Sequence, residues 1–241
     1  MPKVAVLTHI FYDTAFDSFK ESLLDLKEFN ACYLFSISQD CLQKTSIINT
    51  IKETFPEAYI IETPNIGKDI GGKLALIDLH LRLNIQSDYI ILLHDKLSPQ
   101  ALNGNEWRDK LLKIIEKGNI ETILDIFLNN ESIGLVANKE CISNEYANQS
   151  NSFATVNNDL LKEYLITYQI KTSNYDFIPG TMFWIRSNII KDFFTKYPPL
   201  EIRKKLEPGN VLDNLTGTHT HVIERLLGLL AGCYGYKIQG I

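Results

Sequence analysis

The sequence predicts an α/β fold: a mostly parallel central sheet flanked by helices, built as one unit. Three observations carry this. Short apolar, β-branched runs alternate with longer stretches of helical periodicity, the pattern of successive β–α units. One run, DYIILLH, is apolar without alternation, as expected of a strand buried on both faces near the middle of a parallel sheet. Polar clusters follow four of the strands at their carboxyl ends, where open parallel sheets bind ligands.

Taken in order, KVAVLTHI reads as the first strand. Residues 17–27 follow as a helix, because Phe19, Leu23, Leu24 and Leu26 fall on one face. ACYLFSIS is the second strand, residues 44–54 a helix ending near Pro56, and AYIIETP a third strand closed by Pro64. NIGKDIGGKLALIDLHLRL is a glycine-rich turn running into a helix, and DYIILLHDK is the fourth strand. The polar stretch SPQALNGNE leads into helices over 107–116 and 120–128, then the strand SIGLVAN. Residues 139–176 show little pattern beyond a helix near 158–167, and irregular stretches of this length are often binding loops. FIPGTMFWIR is a further strand, with a helix from Asn188. YPPLEIRKKLEPGNVLDNLTGT reads as loop, THVIERLLGLLAGC as the last helix and YGYKI as a closing strand. No repeat, linker or low-complexity tract divides the chain, so residues 1–241 form one domain.

Composition narrows the classes. At 45% hydrophobic and 22% charged residues over 241 positions, the chain is an ordinary globular protein. A net charge of −5 argues against a nucleic-acid partner, which would need a basic face for phosphates. The four cysteines form no C-x-x-C pair and read as reduced thiols, and the start MPKVAVLTHIFY reads as a strand rather than a signal peptide. With no apolar stretch of about 18 residues, the expected place is the cytoplasm, with peripheral association at the inner face of the plasma membrane left open. The five histidines show no zinc-site spacing, and no G-x-S-x-G elbow points to an α/β hydrolase.

The strand ends collect Thr8 and His9, Ser38 and Asp40, Asn65 through Asp69 (with Gly67 and Lys68), and His94, Asp95 and Lys96. NIGKDIGG matches neither phosphate-loop pattern. It is either a tight turn into a helix, or a place where the backbone approaches a ligand, with Lys68 meeting a phosphate and Asp69 a sugar or base edge. The HDK cluster puts ionisable groups at the rim of a buried sheet. Asp95 is suited to a divalent cation such as Mg2+ or Mn2+, while Lys96 could neutralise a pyrophosphate without one; the plain alternative is a polar strand-to-loop transition. His219 and His221 lack an evident third ligand. Glu224 either complements the dipole of an apolar helix or serves as a general base. Trp107 with Arg108, and Phe183 with Trp184, read as core residues with one polar edge, or as a platform under a sugar ring.

Four stretches, NIGKDIGG, DYIILLHDKLS with WRDKLL, PGTMFWIR and THVIERLLGLLAGCYGYKI, resemble the rhamnan synthesis F family of bacterial polysaccharide proteins, in family order over residues 4 to 238. The resemblance implies a glycosyltransferase A-like, Rossmann-like nucleotide-binding fold, with a nucleotide-sugar side over about 1–100 and an acceptor side over about 101–241. It implies a glycosyltransferase, rhamnosyl most of all, working in cell-wall or lipopolysaccharide O-antigen synthesis. The donor would be dTDP-rhamnose and the acceptor a glycan or lipid-linked glycan.

Carried over residue by residue, Asn65, Gly67 and Asp69 would border the donor, and His94, Asp95 and Lys96 stand where such folds carry an Asp-x-Asp element. The family tends to have His-Thr-Lys there, so Asp95 departs from its pattern. Gly180 and Thr181 would line the acceptor side, Glu224 would be the catalytic acid residue, and inversion at the anomeric carbon follows by analogy. The rival reading is a non-catalytic nucleotide-sugar-binding or scaffold subunit.

Overall fold

The computed structural model describes residues 2–12, 16, 19–95, 104–145 and 156–241. Nine strands occur in these residues: β1 (Val4–Ile10), β2 (Ala31–Ser38), β3 (Tyr59–Thr63), β4 (Tyr89–His94), β5 (Ile133–Ala137), β6 (Ser143–Asn144), β7 (Asp176–Phe177), β8 (Phe183–Arg186) and β9 (Lys237–Gly240). Seven of them make one sheet in the order β3-β2-β1-β4-β8-β5-β9, and β6 pairs antiparallel with β7 in a separate two-stranded sheet. The sheet is parallel throughout except at β8, which runs antiparallel to both β4 and β5. The strand DYIILLH is therefore central, as its unbroken apolar character requires: every residue of β4 is buried, flanked by β1 on one side and β8 on the other.

The helices are α1 (Lys20–Asp25), α2 (Lys44–Thr54), α3 (Lys68–Arg82), α4 (Gly104–Leu112), α5 (Lys117–Asn129), α6 (Asn158–Thr167), α7 (Ser187–Lys196), α8 (Pro199–Arg203) and α9 (His219–Cys233). Two differ from the sequence expectation. The helix expected over 107–116 starts at Gly104 and turns 3-10 over Lys113–Ile115. The stretch expected to be loop contains α8, entered by Pro199 in the first turn, where a missing N–H costs nothing. FIPGTMFWIR is not one strand either. Asp176–Phe177 pairs with β6, Gly180 and Thr181 take positive φ (91° and 48°), and only Phe183–Arg186 joins the main sheet. That break lets the chain enter the sheet antiparallel.

Helices α3 and α9 fix the site. α3 is buried on nearly all sides from Ile70 to Ile77, since it packs on β1 and β2 and is covered by α7, α8 and α9. Close approach is met by small residues: a Cβ on Gly71 would lie 1.6 Å from the Ile66 carbonyl oxygen, and one on Gly72 2.0 Å from His9 Nδ1. α9 is buried from Val222 to Ala231 apart from Glu224. Phe183 and Trp184 are fully buried, and the Trp184 indole N–H donates to the Ile114 carbonyl at 3.0 Å, so both serve the core and neither forms a platform. No helix among the described residues is long and apolar enough to cross a membrane.

Candidate active site

The carboxyl ends of β1 and β4, the start of α3, the turn before β8 and the start of α9 meet at one end of the sheet. The entry to α3 is held from outside. Gly67 has φ 75°, and a side chain there would run into Leu206 at 2.2 Å, so the position needs glycine for conformation and for space. Its N–H donates to the Glu207 carbonyl at 2.7 Å, Gly209 N–H donates to the Asn65 carbonyl at 2.9 Å, and Ile66 bridges Pro208. Asn65 also donates to Asn210 at 3.3 Å, and the Lys68 ammonium reaches the Val211 carbonyl at 3.2 Å. Residues 206–211 thus form a strap that fastens the NIGKD turn. Arg203 completes it, donating to the carbonyls of Gly71 and Pro64 at 3.0 and 2.9 Å.

One helical turn on, Asp69 and Lys73 stand at i and i+4, their charged groups 2.9 Å apart. Lys73 is 0% exposed, whereas the Asp69 side chain keeps 22% of its surface open. The Lys73 nitrogen also lies 3.0 Å from His94 Nδ1, 3.2 Å from the Gly180 carbonyl, 3.0 Å from the Thr181 carbonyl and 2.5 Å from Thr181 Oγ1. The Thr181 hydroxyl donates onward to Asp69 at 3.3 Å. A buried ammonium without such partners would be too costly to keep charged.

At the end of β4, His94 faces His9 across the parallel pairing. His9 is buried and lies 3.2 Å from the Ser36 hydroxyl, itself 2.8 Å from that of Thr63. Burial lowers the His9 pKa to about 4, although Asp69 pulls the other way. Asp95 turns back toward β1. Its two carboxylate oxygens accept the Phe11 N–H at 2.9 and 2.8 Å, and one also accepts the Tyr12 N–H at 2.5 Å. Burial pushes its pKa up to about 7, against the pull of the Tyr12 and Phe11 hydrogen bonds.

Across the site, Glu224 accepts the Gly180 N–H at 2.7 Å and stands 3.5 Å from the Arg225 guanidinium. Arg225 is buried with Glu145, donating to it at 2.9 Å, lies over the Phe177 ring, and thereby ties α9 to the β6–β7 pair. The start of α9 is doubly capped. Thr218 Oγ1 accepts the His221 N–H at 3.2 Å, and Glu207 accepts the His219 and Thr220 N–H groups at 2.6 and 3.0 Å. His221 sits one turn before Glu224 with Nδ1 2.6 Å from the Thr218 hydroxyl, and burial lowers its pKa while Glu224 and Asp213 raise it.

Of the residues singled out in the sequence, His9, Asp69, His94, Gly180 and Thr181 gather around Lys73, and Gly180 links Glu224 to them. Asn65, Gly67 and Lys68 are engaged with the 206–211 strap. Asp40 is exposed, with only its backbone N–H bonded, to Ser38. Trp107 packs half-buried against the core, and Arg108 pairs with its neighbour Asp109 at 2.9 Å; no contact joins either to the cluster. Lys96 lies outside the described residues.

A cation held by Asp95 does not fit. Both its oxygens accept backbone N–H groups, it is 3% exposed, and no group of three His, Cys, Asp or Glu among the described residues is arranged to hold a metal. The carboxylate expected as a metal ligand is engaged by the amides of Phe11 and Tyr12. The position ends a strand beside the β1 loop, whose amides reach the carboxylate first.

Lys73, Glu207 and the Glu145–Arg225 pair were missed by reading the sequence. Lys73 alone left a signal: a charge inside the apolar run IGGKLALI, four residues after an aspartate.

Among solved structures, the fold is similar to the mannosyltransferase PcManGT from Pyrobaculum calidifontis, determined in complex with GDP-Man and Mn2+. Identity is 13% and the TM-score 0.43, over 100% of this chain and 55% of that one. It is also similar to residues 1–349 of TarS from S. aureus, at 9% identity and TM-score 0.48, over 96% of this chain and 55% of that one. The same TarS segment in complex with UDP matches at 9% identity and TM-score 0.43, over 90% and 59%. The chain thus spans little more than half the length of these proteins. No curated protein matches its sequence. The sequence profile of rhamnan synthesis protein F matches residues 1–236, nearly the whole chain. The chain belongs to the rhamnan synthesis protein F family.

Proposed function

We propose that the chain transfers a sugar, rhamnose first of all, from a nucleotide-sugar donor such as dTDP-rhamnose to a growing cell-surface polysaccharide or O-antigen chain. One observation carries the reading: residues from four separate elements, Asp69, His94, the Gly180–Thr181 turn and Glu224, meet at the carboxyl end of the sheet. Family membership supports the same class of chemistry.

In this reading the acceptor hydroxyl attacks the anomeric carbon, the nucleoside diphosphate leaves, and Glu224 takes the hydroxyl proton. The Gly180 N–H holds one oxygen of that carboxylate, at 2.7 Å. Asp69, partly open, orients the donor, and Lys96 offsets charge developing on the leaving pyrophosphate. No step is assigned to a metal, since Asp95 is engaged by backbone. The reading has a glycan or lipid-linked glycan as acceptor and a cytoplasmic reaction, with peripheral association at the inner face of the plasma membrane left open.

The scaffold alternative draws on one observation: the carboxylate at the Asp-x-Asp position is spent on the Phe11 and Tyr12 amides. Calorimetric titration with dTDP, UDP and GDP sugars, each with and without Mg2+ or Mn2+, separates the readings. Selective binding of dTDP-rhamnose together with release of dTDP in the presence of acceptor supports the transferase. Binding without turnover supports the scaffold, and binding of no donor removes both.

A further inference from the structure

We propose that Lys73 is the positioning residue of this site, its single buried ammonium holding Asp69, the Nε2–H form of His94 and the Gly180–Thr181 turn in one arrangement. The kinetic part of this inference rests on the transferase reading; the part concerning His94 rests on geometry alone.

Three of the five atoms around the Lys73 nitrogen, Asp69 Oδ2, Gly180 O and Thr181 O, can only accept hydrogen bonds. The fourth, Thr181 Oγ1, gives its own proton toward Asp69 and so accepts from the lysine. An ammonium has protons and no lone pair. A protonated His94 Nδ1 would set N–H against N–H at 3.0 Å, so Nδ1 faces the ammonium with its lone pair. The Nδ1–Asp69 distance of 3.5 Å is too long to compete. A neutral imidazole with a bare Nδ1 carries its proton on Nε2, which becomes its one donor. Lys73 thus selects the tautomer of a residue at the end of the central strand.

The same nitrogen sets the acceptor side. Both carbonyls it binds turn inward because Gly180 and Thr181 have φ of 91° and 48°, a region threonine seldom enters without support. Gly180 uses its carbonyl on Lys73 and its N–H on Glu224. One residue therefore carries the placement of the ammonium to the general base. Lys73 is fully buried, so it acts through the groups it holds.

The test uses the whole chain labelled with 15N in its histidine rings, with the His94 signal identified by its loss in His94→Gln. In the unaltered protein, Nδ1 should be unprotonated and Nε2 protonated. Lys73→Met should lower kcat about 100-fold while donor Kd stays within about threefold, the mark of lost positioning rather than lost binding. Because Lys73→Met leaves the Asp69 charge unmatched, Lys73→Met/Asp69→Asn serves the spectroscopic arm, where the fixed tautomer should give way to a mixture. A proton on Nδ1 of His94, a tautomer unchanged in the double variant, or unchanged kcat in Lys73→Met would each overturn the proposal. If the unaltered chain transfers no sugar from any donor, the transferase reading fails, and the His94 measurement still decides the role of Lys73.

Discussion

The Gly180 N–H donates to Glu224 at 2.7 Å, across 44 residues of sequence, and so joins the turn before β8 to the first turns of α9. The contact needs an acceptor oxygen but not a charge. Glu224→Gln keeps that oxygen, so stability should change by less than about 1 kcal/mol, whereas kcat should fall roughly 10²- to 10⁴-fold as the base is lost. Thermal unfolding beside a transfer assay measures both, and a Gln variant with full activity would remove Glu224 from the chemistry.

Gly72 is where α3 passes over His9. Replacing glycine by alanine inside a helix ordinarily stabilises by about 1 kcal/mol, yet the new Cβ would stand 2.0 Å from the His9 ring. Gly72→Ala should therefore destabilise, by about 1–3 kcal/mol. The cost should largely vanish in a His9→Ala background, which a double-mutant cycle in urea reads directly.

Asp95 gives a pH dependence with a definite sign. Its pKa rises from 3.8 to about 7 on folding, chiefly through burial, so the folded protein holds one more proton than the unfolded chain in between. The stability it contributes is complete below pH 3.8 and is lost as pH rises through 7. The slope is at most about 1.4 kcal/mol per pH unit. His9 and His80, both lowered from 6.5 to about 4 by burial, act in the opposite sense, so the measurement is a difference: between pH 5 and 8 the urea midpoint of the unaltered protein should fall relative to that of Asp95→Asn, which cannot ionise.

Glu207 behaves oppositely. Burial opposes its ionisation, but hydrogen bonds from Thr220 and His219 outweigh it and hold the carboxyl below its ordinary 4.5. Its contribution is present above pH 4.5 and fades as the pH falls through the lowered value. Glu207→Ala should cost about 1–3 kcal/mol by orphaning the amides of His219 and Thr220. Since those amides open the helix that carries His221 and Glu224, activity should drop with stability, and hydrogen exchange should quicken at the start of α9.

The sheet and its helices were legible because their signals are local. β4 shows itself by an unbroken apolar run, α3 by glycines running into a helical period, and the ends of β1 and β4 by polar residues directly after apolar ones. Candidate residues at strand ends were legible for the same reason: a parallel sheet delivers its carboxyl ends to one edge whatever the side chains are. The site was readable as a region before it was readable as contacts.

What the sequence determined by itself is the alternation of elements, the central place of β4 and the family, all properties of spacing along the chain. Only the tertiary structure decided the reversed direction of β8, the strap over Gly67, the burial of Lys73 and the turning of Asp95 onto the Phe11 and Tyr12 amides. The physical reason is distance along the chain. Asp95 finds its amides 84 and 83 residues earlier, and Lys73 finds its carbonyls 107 and 108 residues later. A charge is settled by whichever partners folding brings within about 3 Å, and no window of neighbouring residues contains them.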